Sequence, residues 1–274
     1  MEPNKHPTFS TEFRFGIAGP DSNAPETGPG PGLIYGPIYY IGTRTVCSYL
    51  VKTSSGLVII DTGFEEDFEI IANNIRSLGF SPEDIHWILN THWHEDHTGG
   101  NTGFARISGA QVMIHELDTD IVESGLFKGK DAVPRCRVSR RLKHGDTIPC
   151  GEFVFDVIHC PGQSPGSVVF MLKIPTTQGN CRAIFAGDAS GFKCNLSLYD
   201  RYGYPEAAGH YRDTVSTLKS LEFDLYLGGH PHQVVSEMRS DGNPFVTHSE
   251  WLSLLESRHN RMEEFVNRKL LISA

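Results

Sequence analysis

Three histidines and two acids fall within six residues at His92-Trp93-His94-Glu95-Asp96-His97, directly after an apolar run that ends at Leu89. Neutral imidazole and ionised carboxylate are the nitrogen and oxygen ligands taken by zinc and its first-row neighbours. In an extended chain, residues two apart share a face, so His92 and His94 can aim both rings one way. Asp96 and His97 must then be turned by a bend toward a neighbouring position, giving two adjacent half-sites. The competing reading, a solvated histidine-rich loop, leaves unexplained why Asp188 and His230 also stand at the ends of apolar runs.

The runs that must position these residues alternate between strand and helix patterns. Residues 37–42, 46–51 and 57–61 read as strands, the last apolar on both faces like a buried sheet strand. It ends at Asp61-Thr62-Gly63. Phe64, Phe68, Ile71, Ile75 and Leu78 form one helical stripe, stopped by Gly79. Ile85–Leu89 is the strand that delivers the histidine-rich loop, and Gly99-Gly100 lets backbone come close behind it. Gln111–His115 reads as a further strand and Glu116–Ser124 as a helix. The basic stretch 127–141 is either a solvated loop or a rim that steers anions.

Two more strands, Phe153–His159 and 168–172, flank Cys160-Pro161-Gly162-Gln163-Ser164-Pro165-Gly166-Ser167, whose two Pro-Gly pairs specify a tight turn. Residues 182–188 form a strand ending in a carboxylate, Asp188. In the aromatic loop 191–205, Tyr199 and Tyr202 are candidates to line a substrate wall, with core filling as the alternative. A helix over 206–221 and a strand over 223–227 lead to His230. The last helix opens with a Thr247-x-x-Glu250 capping box and buries Trp251, Leu254, Leu255 and Met262.

Residues 1–37 are rich in proline and glycine and read as an N-terminal arm, either lying over the domain or mobile; residues 38–274 read as a single domain. A chain of 274 residues buries roughly 75% of its unfolded surface, so no metal or disulfide is needed merely to hold a core. The six cysteines, widely spaced, read as mostly buried thiols. A net charge of −9 argues against nucleic acid or an anionic membrane as partner and leaves a small-molecule substrate. Neither a leader pattern nor an apolar run of 18 residues is visible. A cytoplasmic location is therefore expected, although a processed secreted form would read the same.

His92-x-His94-x-Asp96-His97 resembles the signature of the metallo-β-lactamase superfamily, and the likeness runs from about Ile38 to Pro231. The resemblance implies an αββα sandwich: two mixed β-sheets packed together and flanked by helices. It implies His92 and His94 at a first metal, Asp96, His97 and His230 at a second, and Asp188 between them. It also places Asp61 behind the site, where a carboxylate could equally cap the following helix. In the superfamily's Pro-Gly-His-x-Pro-Gly-Ser turn the histidine completes the first site; this chain has Gln163 there. An amide oxygen is a poorer zinc donor than imidazole, so the first site is expected to be weak. Gln163 would ligate weakly, act as a hydrogen-bonding neighbour, or leave its place to water.

The implied chemistry is metal-assisted hydrolysis by hydroxide formed at neutral pH, with Asp96 both ligating and handling the proton. The absence of a cysteine ligand resembles those class B β-lactamases whose zinc sites lack cysteine, and favours β-lactam ring opening. Asp188 instead resembles glyoxalase II thioesterases and acyl-homoserine lactonases. The expected cofactor is one or two zinc ions, with iron or manganese as alternatives. Through Gln163, a metal-binding protein with weak or lost hydrolase activity is the reading from another class.

Overall fold

The computed structural model describes residues 30–127, 130–177, 179–195, 199–200, 203–235 and 242–273. The apolar runs assemble into two sheets. In the first, β1 (Gly32–Tyr35), β2 (Ile38–Tyr40), β3 (Tyr49–Thr53) and β4 (Gly56–Ile60) form an antiparallel meander. The sheet continues in parallel through β5 (Ile85–Leu89) and β6 (Gln111–His115). A two-stranded ribbon, β7 (Leu126–Phe127) with β8 (Lys130–Asp131), precedes β9 (Arg140–Leu142), which closes the first sheet alongside β6. The second sheet runs β10 (Thr147–Cys150), β11 (Phe153–His159), β12 (Val168–Thr176), β13 (Gly179–Gly187) and β14 (Leu225–Gly228). Its last pair is parallel and the others antiparallel.

The sheets pack face to face. Tyr49, Val58, Ile60 and Leu89 of the first meet Phe155, Val157, Phe170 and Phe185 of the second in one apolar cluster. Each fully buried phenylalanine there contributes about 1.5–3 kcal/mol. The other face of the first sheet, through Leu50, Ile59, Ile88 and Ile114, is covered by α1 (Phe68–Ser77), α3 (Asn101–Ser108) and α4 (Glu116–Ser124). A short α2 (Glu95–Thr98) precedes α3. On the second sheet lie α5 (Ala207–Lys219) and α7 (His248–Ser273), with a short α6 (Pro231–Val235) between them. Trp251 is fully buried and donates its indole N–H to Leu218 O at 2.9 Å. The expected αββα sandwich is the observed architecture.

Two boundaries differ from the sequence expectation. Gly32–Tyr35, assigned to the arm, is a strand hydrogen-bonded to β2, because Ile34 is fully buried against the sheet-to-sheet core. Phe64 lies outside its helix: a 3-10 turn, Glu65–Asp67, intervenes, and Asp67 Oδ2 accepts the Phe64 N–H at 3.1 Å. The rest of the arm, residues 1–29, lies outside the described residues. All six thiols are free, five of them buried. No helix among the described residues is long and apolar enough to cross a membrane.

What matters for chemistry is where the strands end. The chain leaves β4 at Asp61, β5 toward His92, β13 at Asp188 and β14 toward His230. In open mixed α/β sheets, crevices form beyond the carboxyl ends of parallel strands. All four exits lead into one such place.

Candidate metal centre

His94 keeps extended backbone (φ −54°, ψ 150°) and α2 begins at the next residue, which is the bend the spacing requires. His92 Nε2 and His94 Nδ1 converge to 3.0 Å. The helical turn brings Asp96 and His97 round beside them. His97 Nε2 lies 3.6 Å from Asp96 Oδ2 and 3.9 Å from Asp188 Oδ2. From the other sheet, His230 Nε2 stands 3.5 Å from each of these carboxylates. His230 Nδ1 is 2.7 Å from Thr45 O, so this nitrogen carries the proton and Nε2 turns to the site. Ligand atoms of Asp96, His97 and His230 fall within 4.8 Å of one another, as do those of His92, His97 and Asp188. All six sequence candidates therefore meet in one cluster.

The electrostatics fit a cation. His97 Nε2 is buried without a hydrogen-bond partner among the described residues. Burial alone would pull the His97 pKa down, yet Asp96, Asp61 and Asp188 together push it up to about 9. His230 is likewise raised: burial opposes, and Asp188 prevails. Burial would raise Asp188, but His230 and His97 hold it well below the usual carboxylate range. His92 is driven well below its ordinary value by burial and by His97, and His94 falls to about 3 through burial and Lys193. The surroundings thus favour neutral imidazoles at His92 and His94, while the carboxylates draw protons onto His97 and His230. A divalent ion would replace those protons, so its affinity must rise with pH.

Asp61 is fixed behind the ligands. It adopts φ 54°, a left-handed conformation that costs an L-residue roughly 1–2 kcal/mol and that Asp tolerates better than most. The strain aims the carboxylate at three partners: Thr91 N–H at 2.8 Å, Thr91 Oγ1 at 2.7 Å and His97 Nδ1 at 2.8 Å. It orients a ligand and does not cap the helix. Gly187 is required nearby, because a Cβ there would fall 2.4 Å from Thr91 Oγ1.

Gln163 enters the site as a hydrogen-bonding neighbour: its amide reaches Asp188 Oδ2 at 3.2 Å, and it is buried. A second amide, Gln233, donates to Asp188 Oδ1 at 2.6 Å and accepts the Gly229 N–H at 2.8 Å. Sequence reasoning missed Gln233, which has no motif of its own; its one signal is its place three residues after His230. His159 is no substitute ligand. Its ring stacks on His115 at 4.2 Å, with Nε2 2.8 Å from Pro165 O.

Asp118, near the start of α4, was also missed. Its buried carboxylate accepts the Trp93 N–H (3.1 Å), the Gly166 N–H (2.8 Å) and the Ser164 hydroxyl (2.5 Å). It therefore ties the His92 loop to the turn that carries Gln163. Burial raises its pKa to about 6. The folded state holds this proton more tightly than the unfolded chain does, so the contribution to stability falls as pH rises from about 4 to 6. In metal-free protein, the unfolding free-energy difference between wild type and Asp118→Asn should shift by about 2–3 kcal/mol over that range, to the detriment of wild type. Urea titrations at pH 4 and pH 7 check this; a constant difference would mean that Asp118 ionises normally.

The cluster opens on a cavity of about 220 Å³ lined by Gln163, Asp188 and His230, and also by Phe192, Lys193, Gln233, Arg258 and Arg261. Tyr199 does not line it. The ring stacks on Phe192 (centroids 4.8 Å) inside an aromatic cluster with Tyr204 and Tyr211, and its hydroxyl accepts the Lys193 N–H at 3.1 Å. Core filling prevails over substrate contact. Tyr202 lies outside the described residues. In the basic stretch, Arg141 pairs with Asp120 and Glu123, and Arg140 with Asp146, so these two side chains serve local ion pairs and not the cavity.

Comparison with known proteins points the same way as this geometry. A family model described as the metallo-β-lactamase superfamily matches residues 41–230. The crystal structure of BJP-1, a subclass B3 metallo-β-lactamase of Bradyrhizobium japonicum, is similar with a TM-score of 0.78 and 29% identity, covering 89% of this chain and 96% of that one. A hydroxyacylglutathione hydrolase of Erythrobacter litoralis is 35% identical over 85 residues, 31% of this chain and 28% of that protein. An atrochrysone carboxyl ACP thioesterase of Passalora fulva is 28% identical over 206 residues, 74% of this chain and 55% of that protein. The chain thus spans between about a quarter and just over half the length of these two curated relatives.

Proposed function

This chain belongs to the metallo-β-lactamase superfamily, and from that premise we propose that it is a zinc-dependent hydrolase acting on a small amide or ester-type carbonyl, with β-lactam ring opening first. The observation that carries the reading is the convergence of His92, His94, Asp96, His97, Asp188 and His230 beside a cavity of small-molecule size. Imidazole and carboxylate donors suit zinc, with iron or manganese as alternatives. When bound, such an ion lowers the pKa of a water toward about 7 and polarises a carbonyl.

The protein's own groups supply the rest. His92 and His94 would hold one ion, and Asp96, His97 and His230 a second. Asp188, kept ionised and gripped by Gln163 and Gln233, faces both. Asp96 differs from the other ligating acid in exposure: its side chain is 15% accessible, against 6% for Asp188. The Asp96 carboxylate is accordingly the group placed to take a proton from the attacking water and return it to the leaving group. The partner is a small molecule; neither nucleic acid nor a membrane suits a chain of net charge −9.

A lactonase or thioesterase is the second reading, favoured by Asp188 between the half-sites and by the similarity to the hydroxyacylglutathione hydrolase and the thioesterase. The test is a panel of β-lactam, lactone and thioester substrates with zinc-loaded protein. Hydrolysis that a chelator abolishes and zinc restores is expected. A fully metallated protein that turns over none of the three classes would leave the metal-binding role in its place.

Gln163→His should raise the metal affinity of the His92–His94 half-site and the hydrolytic rate. Titration with zinc under competition from a chromophoric chelator reads the first effect; unchanged stoichiometry and affinity would remove residue 163 from that site.

A further inference from the structure

The two half-sites differ in how far the chain itself already satisfies their ligand atoms. Beside Asp96 and His230, His97 Nε2 is buried without a hydrogen-bond partner among the described residues; the Asp96 and Asp188 carboxylates stand 3.6 and 3.9 Å away, beyond hydrogen-bond reach. Around His92 the ligand atoms are engaged. The single Thr91 hydroxyl proton goes to Asp61 Oδ2 at 2.7 Å, so Thr91 Oγ1 accepts the His92 Nδ1–H at 3.1 Å. His92 Nε2 is then an acceptor, and it takes the His94 Nδ1–H at 3.0 Å. Asp188, grouped with His92 and His97, is engaged at both oxygens: Oδ1 accepts from Gln233 at 2.6 Å and Oδ2 from Gln163 at 3.2 Å.

Each carboxylate oxygen offers about two lone pairs. Asp188 Oδ2, which also faces His230 Nε2 at 3.5 Å, gives one of them to Gln163 and can then serve a single ion. Resting on the metal site of the hydrolase reading above, we infer that Gln163 is a competitor of the ion at His92 and His94, not its ligand: its amide N–H holds the Asp188 oxygen that a second ion needs. Ions therefore enter in a fixed order, first at Asp96, His97 and His230, then at His92 and His94 once the Gln163 amide has let go of Asp188.

The competing bond is built into the fold. A flipped Gln163 would set its carbonyl oxygen against a carboxylate, two acceptors with no proton between them. Gln233 leaves no other arrangement at Oδ1, because its own carbonyl is committed to the Gly229 N–H at 2.8 Å. The turn carrying Gln163 is pinned on both sides of it: Thr214 donates its hydroxyl to Pro161 O at 2.6 Å, and the Ser164 N–H donates to Ser167 Oγ at 2.9 Å. Gln163 itself is 3% exposed, so water does not readily replace it. Hydrogen bonds to an ionised acceptor are the strong ones, which makes this one worth about tenfold or more in the affinity of the ion it opposes.

The test is zinc titration of the metal-stripped chain against a chromophoric chelator, resolving the two binding steps, with circular dichroism as the check on folding. Gln163→Met keeps the length of the side chain and removes both its donor and its oxygen. The second ion should bind at least about tenfold more tightly, and the first within about threefold of wild type. Gln163→Ala, which offers no sulphur, should move the second ion in the same direction. Gln233→Met, which frees only Oδ1, should not tighten it. A second ion weakened by both Gln163 variants would make Gln163 a ligand and overturn the inference, as would unchanged affinity or an equal gain at both ions. Because metal binding is read and not turnover, this ordered binding in a protein that hydrolyses nothing would refute the hydrolase reading alone.

Discussion

Asp96→Ala is expected to abolish hydrolysis, with a loss of at least about 10²–10⁴-fold from the missing proton transfer alone, and to release metal as well. The expectation follows from two facts about one carboxylate. Asp96 Oδ2 lies 3.6 Å from His97 Nε2 and 3.5 Å from His230 Nε2, so it completes a half-site. It is also the more accessible of the two ligating acids, at 15% against 6% for Asp188. Asp96 sits in the first turn of the short α2, outside both apolar clusters, so the fold should persist, which circular dichroism verifies. Full activity in the folded variant would place the chemistry elsewhere.

The second large effect belongs to Asp61, which touches no substrate. Asp61→Ala leaves the Thr91 N–H, the Thr91 hydroxyl and His97 Nδ1 without their acceptor, and each stranded buried group costs about 1–3 kcal/mol. The orientation of His97 goes with it, and loss of such a partner typically lowers metal affinity about 10–100-fold. Asp61→Asn keeps one acceptor oxygen and tolerates the left-handed backbone, so it should recover much of the stability while still binding metal more weakly. Chelator competition measures the affinity and urea unfolding the stability. Wild-type zinc affinity in Asp61→Asn, with His97 losing a charged for a neutral acceptor, would show that Asp61 acts on stability only.

The elements that carry the site were legible where hydrophobic pattern and turn chemistry agreed. Ile85–Leu89, Gln111–His115 and Phe153–His159 have the bounds their apolar runs predict, because each run ends in residues that cannot continue a buried strand. The capping box before α7 is likewise present in both directions, Thr247 N–H to Glu250 Oε2 at 2.7 Å and Glu250 N–H to Thr247 Oγ1 at 3.2 Å. The ligand cluster was legible because its side chains are costly to bury without a cation, so their density in apolar surroundings is informative.

What supports the cluster was not legible. Asp118 and Gln233 act through contacts 46 and 45 residues away in sequence, with Ser164 and Asp188, and no local pattern encodes such a distance. Tyr199 shows the opposite failure: an aromatic loop beside a ligand fits a substrate wall and a packed core equally well until its partners are known. The basic residues divide in the same way. Arg140 and Arg141, in the conspicuous basic stretch, pair with nearby acids, whereas Arg258 and Arg261 lie hidden in the pattern of a long amphipathic helix and reach the cavity.

Metal content per chain, by elemental analysis after purification with and without added zinc, tests the central claim most directly. The account predicts about one ion held through purification by Asp96, His97 and His230, and a second taken up with added zinc at the His92–His94 half-site that Gln163 weakens. A protein that retains no stoichiometric ion even after exposure to excess zinc would contradict it, because four imidazoles, three of them buried, and three carboxylates would then be gathered for some purpose other than a metal.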